Sequence, residues 1–463
     1  MKRVLALVLA GAAIYAAFVL EAPADPAGPD FAGPQERESV ASSTASVWYC
    51  TWAASGALRD STVMIAADVP VQASLTLPQQ IVGEAPDTAI VGLEAAGATA
   101  VDVGEIVRRG DTPLFVEFDD GPAAVAVVVE SDELLTGDTC VARIPKVWEL
   151  PGGTTREGRT LTLRLFNPFP ELAKVTVGGS SESGQTGLVD LQGIDVEGRT
   201  WHDVRVDELV RLLDDVSLTV TTSEGFVIPS LVVAGAGDEA SWPGIAPATY
   251  WEFPVATISG EFASTVMLSN TGANAVTAII DVYTRDGATV DAREVIVDPS
   301  IPNRVDLSDL ADGAMGIRVR ASAPLSAVVL AEESAVVLEP TDEEGQLEDA
   351  PIAGDRIGGT IGATSAATNW LLPGLQAVDS GDATVWLLNT GSEAATVILK
   401  PLGQQEIATS KQSVAAGSVL GVRLSALQGV GGYFVESSSP ISVAWSVESP
   451  TGIMLVAGTV VGG

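Results

Sequence analysis

Short apolar runs, partly alternating with polar positions, recur along most of this chain. STVMLS (264–269), AVTAIIDVY (275–283) and AREVIV (292–297) are typical: rich in Val, Ile and Thr, and bounded by turn-forming residues. This texture predicts strands joined by turns at intervals of about 8–12 residues, as in sandwiches and barrels. Helical periodicity is confined to one expected turn near Val206–Leu213, in VDELVRLL.

A longer rhythm overlies the strands. Trp148, Trp251 and Trp370 are each followed nineteen residues later by an asparagine: Asn167, Asn270 and Asn389. Trp48 has Ala67 at that offset, and the intervals between the four tryptophans are 100, 103 and 119 residues (148−48, 251−148, 370−251). An apolar-x-apolar-x-x-apolar pattern follows each turn, at Val101-Val103-Ile106, Val204-Val206-Leu209, Val305-Leu307-Leu310 and Val422-Leu424-Leu427. Two strand-like runs divided by small residues close each unit, as in GIRVRASAPLSAVVLAEES and GYFVESSSPISVAWSVES. Three landmarks in one order, four times, point to tandem duplication. Propeller blades of about 40–50 residues do not match a period near 100.

Each tryptophan is expected to plug a core between two sheets. Asn-Thr-Gly at 270–272 and 389–391 suits a tight hairpin, because Asn and Gly tolerate positive φ. The expected fold is therefore all-β: a tandem array of four immunoglobulin-like β-sandwich modules in a row, after an N-terminal apolar helix. The modules are placed at 47–145, 146–246, 247–338 and 368–463, with an acidic, Gly-rich linker at 339–367.

The N-terminal end carries an address. Lys2 and Arg3 precede an uncharged apolar run, 4–20, and small residues follow at Ala22-Pro23-Ala24. Residues 1–24 read equally as a cleaved secretory signal or a retained membrane anchor, and either places the remainder outside the cytoplasm. Residues 25–46, rich in Pro, Ala, Ser and acid, read as a disordered linker.

Composition narrows the function. Twenty-four Lys plus Arg stand against sixty Asp plus Glu, a net charge of −36, so phosphate backbones are repelled and no nucleic-acid partner is expected. Cys50 and Cys140, the only cysteines, fall at the two ends of the first module. In an exported chain a disulfide is the default, with free thiols or a redox pair as alternatives.

Chemistry is read mostly by elimination. His202, the single histidine, sits in RTWHDVRV at a strand edge with no evident nucleophile. Zinc sites of His and Cys fail by count, no EF-hand loop is present, and no Walker or dinucleotide motif implies a cofactor. GSSESG (179–184) is one residue too long for a nucleophile elbow. Two carboxylates across a cleft would suffice for glycoside hydrolysis. The Glu-Ser strand ends at 130–131, 333–334 and 448–449, however, recur in parallel units, as structural features do.

The apolar N-terminal segment, Trp48-Tyr49-Cys50, the Asn-Thr-Gly turns, and the VVES and SVES strand ends (128–131 and 446–449) together resemble an actinobacterial family of exported proteins classed as a domain of unknown function. The resemblance covers nearly the whole chain, implies an envelope or secreted location, and supplies no activity or site residues. The turns at 167–170 (Asn-Pro-Phe-Pro) and 67–70 (Ala-Asp-Val-Pro) depart from its pattern.

The expected function is a non-catalytic, extracytoplasmic structural or interaction protein of the cell envelope. Its partner would be an envelope protein or glycan, with membrane attachment possible through residues 4–20. The alternative is a carbohydrate-binding or glycoside hydrolase-like protein, contacting its ligand through whichever of the non-repeating Trp52, Trp201 and Trp242 is exposed, core filling being the expected fate of at least two of them.

Overall fold

The four repeated tryptophans are interior: Trp48, Trp148 and Trp370 are 0% exposed and Trp251 is 2% exposed. Each lies in the first strand of a stretch that folds into two sheets. The computed structural model describes residues 46–461, apart from 56–58, 80, 82, 94–95, 120, 132–133, 189–190, 236–237, 258–261, 334–355, 375–381, 404–408 and 425–430. The expected segments 1–24 and 25–46 lie outside the described residues, apart from Ser46.

The first stretch comprises β1 (Val47–Cys50), β2 (Ala54–Ser55), β3 (Asp60–Ala67), β4 (Val71–Leu77), β5 (Asp87–Leu93) and β6 (Gly97–Asp102). A helical turn α1 (Val103–Ile106), β7 (Arg109–Asp111), β8 (Leu114–Phe118), β9 (Ala123–Glu130) and β10 (Leu135–Thr139) complete it. One sheet runs β1-β8-β4-β5, and the other joins β10, β9, β3 and β6.

The second stretch has β11 (Val147–Gly153), β12 (Thr160–Asn167), β13 (Ala173–Ser181), β14 (Gly184–Thr186), β15 (Gln192–Val196) and β16 (Thr200–Arg205). A turn α2 (Val206–Leu209), β17 (Val216–Glu224), β18 (Ile228–Ala234) and β19 (Glu239–Pro243) follow. Its sheets are β11-β17-β13, extended by β14 and β15, and β16-β12-β18-β19.

The third stretch has β20 (Ala248–Thr257), β21 (Phe262–Ser269), β22 (Val276–Thr284), β23 (Gly287–Val297), β24 (Asn303–Asp306), β25 (Met315–Glu333) and β26 (Ile357–Ile361). The fourth has β27 (Ala367–Pro373), β28 (Asp382–Asn389), β29 (Ala395–Pro401), β30 (Ser410–Val414), β31 (Ser418–Arg423), β32 (Gly432–Ser449), β33 (Gly452–Ala457) and β34 (Thr459–Val460). In both, one long strand belongs to two sheets. The first part of β25 pairs with β20 and β22, and its second part pairs with β21 and β26. β32 divides in the same way between β27 and β29 on one side and β28 and β33 on the other. The architecture is thus nearly all-β and sandwich-like.

Three of the four tryptophans repeat their bonding as well as their position. Trp148, Trp251 and Trp370 donate their indole N–H to the carbonyls of Val227, Leu325 and Ile441 at 3.0, 3.0 and 3.1 Å. Leu325 and Ile441 lie where β25 and β32 pass from one sheet to the other, and Val227 lies between β17 and β18, so one buried ring with a satisfied N–H ties the first strand to the rest of its core.

The asparagine turns are not the hairpins expected. β21 and β22 pair with opposite halves of β25, β28 and β29 with opposite halves of β32, and β12 and β13 belong to different sheets, so the chain arches from one layer to the other. None of the three asparagines has positive φ. They are buried instead, and Asn270 donates to the carbonyls of Asn274 and Val297 while accepting from Gly272 N–H at 2.9 Å. Asn167 and Asn389 repeat this set on Glu171, Val196 and Phe169, and on Glu393, Val414 and Gly391. A buried amide satisfies three backbone groups around the arch. The Asn-Pro-Phe-Pro departure is therefore tolerated, because the asparagine supplies the bonds.

Two further expectations change. Residues 357–361, placed in a linker, form β26, whose five residues are all buried. Nor do the stretches form a simple row. The closing strands β10, β19, β26 and β33 pack in cyclic order, β10 on β19, β19 on β26, β26 on β33, and β33 back on β10. Leu135 of β10 and Gly452 of β33 pair in parallel, so the first and last stretches meet. Glycine allows this approach: a Cβ on Gly452 would stand 2.5 Å from the Leu135 carbonyl oxygen, and one on Gly359 would stand 2.6 Å from the Trp242 ring.

Candidate binding groove

The residue after each tryptophan bridges to the tail of its own stretch: Tyr49 to Val141, Glu149 to Ile245, Glu252 to Ala363 and Leu371 to Thr459. Its side chain meets the next stretch, and the four junctions solve that contact differently.

At the second-to-third junction, buried Glu149 accepts hydrogen bonds from the hydroxyls of Thr271 and Ser326. At the third-to-fourth, Glu252 accepts from Thr390 at 2.6 Å, and from Ser442 and Tyr250. These are equivalent places, since Thr271 and Thr390 follow the turn asparagines and Ser326 and Ser442 follow the carbonyls that receive the indoles. At the fourth-to-first junction the contact is apolar, with Leu371 packed among Ala66 and Ala124.

The first-to-second junction differs again. Tyr49 replaces the glutamate, Pro168 the threonine and Ile228 the serine. Where the later stretches have Gly272 and Gly391, the second has Phe169, and where they have Pro324 and Pro440 it has Phe226. The rings form a continuous series. Tyr49 lies 6.3 Å from Phe115 and 6.0 Å from Phe169, and Phe169 lies 5.9 Å from Phe226, all tilted.

Tyr49, Phe169 and Phe226, with Ala142, Ile144, Glu171 and Gly225, line an open groove of about 960 Å³ including its mouth. Phe226 is 37% exposed, and the exposed Lys146 holds its ammonium 5.0 Å from that ring's centre. Burial, reinforced by the Glu117 carboxylate, pushes the Tyr49 phenol up to about 12, so it stays neutral and able to donate. Concavity, aromatic walls and a few polar groups at the rim suit a ligand or partner segment.

Of the three non-repeating tryptophans, Trp52 and Trp242 fill core, the fate expected of at least two. Trp52 is 8% exposed, donates to Glu239 at 3.1 Å, and carries the Arg164 guanidinium over its ring at 4.4 Å. Trp242 is 1% exposed and donates to the Pro151 carbonyl. Neither offers a free face, and Trp201 is half-buried on β16. His202 is exposed on the same edge strand. Sequence reasoning missed the groove because its aromatics are Phe and Tyr at positions that break the repeat, and that break was the available signal.

Cys50 and Cys140 form the expected disulfide, with Cα atoms 4.5 Å apart. It fixes the strand bearing Tyr49 against the segment leading to Ala142, Ile144 and Lys146, and so holds two walls of the groove in register. Among the described residues, no group of three His, Cys, Asp or Glu side chains is arranged to hold a metal ion.

Residues 123–334, and again residues 242–453, match a family model described as a family of unknown function, DUF5719. The chain belongs to the DUF5719 family. No curated protein matches it. Both matched stretches of this DUF5719 chain include the Glu149–Thr271 or Glu252–Thr390 junction, whereas the groove draws Tyr49 from outside them.

The closing strands of the DUF5719 chain also bury acids. Asp238 accepts from the backbone N–H of Glu239 at 2.8 Å and, across to the third stretch, of Ile357 at 2.9 Å. Burial nevertheless pushes it up to about 8, with Glu239 adding repulsion. Burial raises Asp138, Glu149 and Glu239 in the same direction. An unfolded Asp loses its proton near pH ~4, so the folded chain holds the extra proton from there to about pH 8. Stability is expected to fall as pH rises through that window, and Asp238→Asn to flatten the fall. Urea midpoints at pH 5 and pH 8 for both chains check this, and equal slopes would refute it.

Proposed function

We propose that this DUF5719 protein is a non-catalytic, extracytoplasmic interaction protein of the cell envelope, built from four immunoglobulin-like modules and recognising its partner through the first-junction groove. The observation that carries the reading is the groove's divergence. At the second-to-third and third-to-fourth junctions the equivalent positions hold Glu, Thr, Ser, Gly and Pro, the fourth-to-first sets Leu371 among alanines, and the first-to-second alone gathers Tyr49, Phe169 and Phe226 there. A ring that needed only rigidity could have repeated the glutamate contact.

Other features agree. One family model matches twice with a displacement of 119 residues (242−123), the interval between Trp251 and Trp370, as tandem duplication of modules predicts. A disulfide in the first stretch suits an oxidising compartment, and the apolar run 4–20 suits export or anchorage.

The test is alkylation of intact cells before reduction, followed by fractionation and cross-linking in the envelope. The protein should be found in the envelope or medium without free thiols, and Phe169→Ser should release what wild type retains. A cytoplasmic pool with two free thiols, or turnover of a glycan by the purified protein, would sink the reading.

A further inference from the structure

We infer that one water molecule is a resident part of the first-to-second junction, bound between Asp138 of β10, Ser230 of β18 and Ser241 of β19. The site lies apart from the groove and does not depend on what the groove binds.

Register brings the two serines together. Val232 pairs with Ser241, and Ser230 with Pro243, so Ser230 and Ser241 are diagonal neighbours on one face of the β18–β19 pair. Val232 shares that face and belongs to the core of the first stretch, so the face is turned toward that stretch. There β10 packs on β19. Cys50, Trp52, Asp138, Cys140, Ser230 and Ser241 line one cavity of about 20 Å³ at this seam. A buried water needs roughly 10–15 Å³, so the cavity admits one.

The lining decides that the space is wet. Apolar cavities stay dry, whereas a water with two to four polar partners is retained. Asp138 Oδ2, Ser230 Oγ and Ser241 Oγ are buried oxygens with no hydrogen-bond partner among the described residues. Ser230 is 1% exposed and Ser241 2%, so bulk solvent does not reach them. Native interiors rarely leave such groups unmet. One water donates two hydrogen bonds and accepts two, and a serine hydroxyl turns to give or take, so a single molecule answers all three.

The state of the carboxyl agrees. Asp138 Oδ1 accepts from the Thr139 N–H at 2.7 Å, which leaves Oδ2 for the cavity. Burial raises the Asp138 carboxyl well above its ordinary range, so it is neutral and can donate to the water as well as accept. A metal cation fits less well, since hard cations take about six or more oxygens and the cavity offers one carboxyl oxygen and two hydroxyls. The disulfide walls the same cavity, so the water ties β18 and β19 to the cross-linked end of the first stretch.

The test is a crystal structure of the full chain at a resolution that shows ordered water. Oxygen-17 relaxation dispersion, which counts waters held longer than the protein tumbles, gives the solution counterpart. A single density peak should lie about 2.5–3.0 Å from all three oxygens. Ser241→Val fills the space with methyl groups and should remove both the peak and one long-lived water from the count. Ser230→Ala keeps the cavity, withdraws one partner, and should shorten that water's residence at least tenfold. A direct hydrogen bond between Asp138 and either serine, with no density between them, would overturn the inference. So would a peak with the shorter contacts and extra ligands of a cation, or an unchanged count of long-lived waters in folded Ser241→Val.

Discussion

A chain carrying Cys50→Ala and Cys140→Ala is expected to lose about 4–5 kcal/mol of stability in its first stretch, the chain-entropy value for a closed loop of roughly 90 residues. The bond joins the end of β1 to the residue after β10, with a sequence separation of 90. Both cysteines are 3% exposed, so their removal also leaves small voids. Denaturant unfolding should show the first stretch melting as a separate, earlier transition. Groove function should fail with it, since Tyr49 adjoins one cysteine and Ala142 and Ile144 follow the other. A loss below about 1 kcal/mol would mean that strand pairing alone sets the register.

Glu149→Ala is expected to cost about 2–3 kcal/mol, whereas the triple change Glu149→Leu, Thr271→Val, Ser326→Ala is expected to stay within about 1 kcal/mol of the parent. Ser326 is fully buried, and the alanine would strand its hydroxyl without a partner. Replacing all three polar groups strands nothing, and Leu371 among Ala66 and Ala124 is the same site already written in apolar residues. A double-mutant cycle from urea unfolding checks the pair. If the triple variant is as weak as the single one, the carboxylate contributes something beyond mutual satisfaction of the three groups.

Much of the fold was readable in residues whose constraints are local. Trp148, Trp251 and Trp370 recur at fixed distance from Asn167, Asn270 and Asn389 because each pair closes the same core, and a large ring and a buried amide tolerate few substitutes. The disulfide followed from count and compartment. The asparagine turn was misread because Asn-Thr-Gly has the composition of a hairpin, and only sheet membership shows that it crosses layers. β26 was hidden because Ile357-Gly358-Gly359-Thr360-Ile361 looks like a linker when its partners, β25 and the neighbouring closing strands, are unknown. The junction contacts had a signal in Trp-Glu at 148–149 and 251–252, but its meaning depends on Thr271, Ser326, Thr390 and Ser442, more than 120 residues away in each case (271−149, 390−252). The groove was the least legible, since it consists of departures from the repeat.

Because β33 returns to lie beside β10, the number of stretches is fixed by geometry. An open solenoid can gain or lose a terminal unit by unequal recombination and remain folded, since each unit touches only its neighbours. Here a fifth unit would have to change the angle at every junction at once, and a deletion would leave two unmatched faces. Growth of such a protein is therefore confined to insertions within stretches.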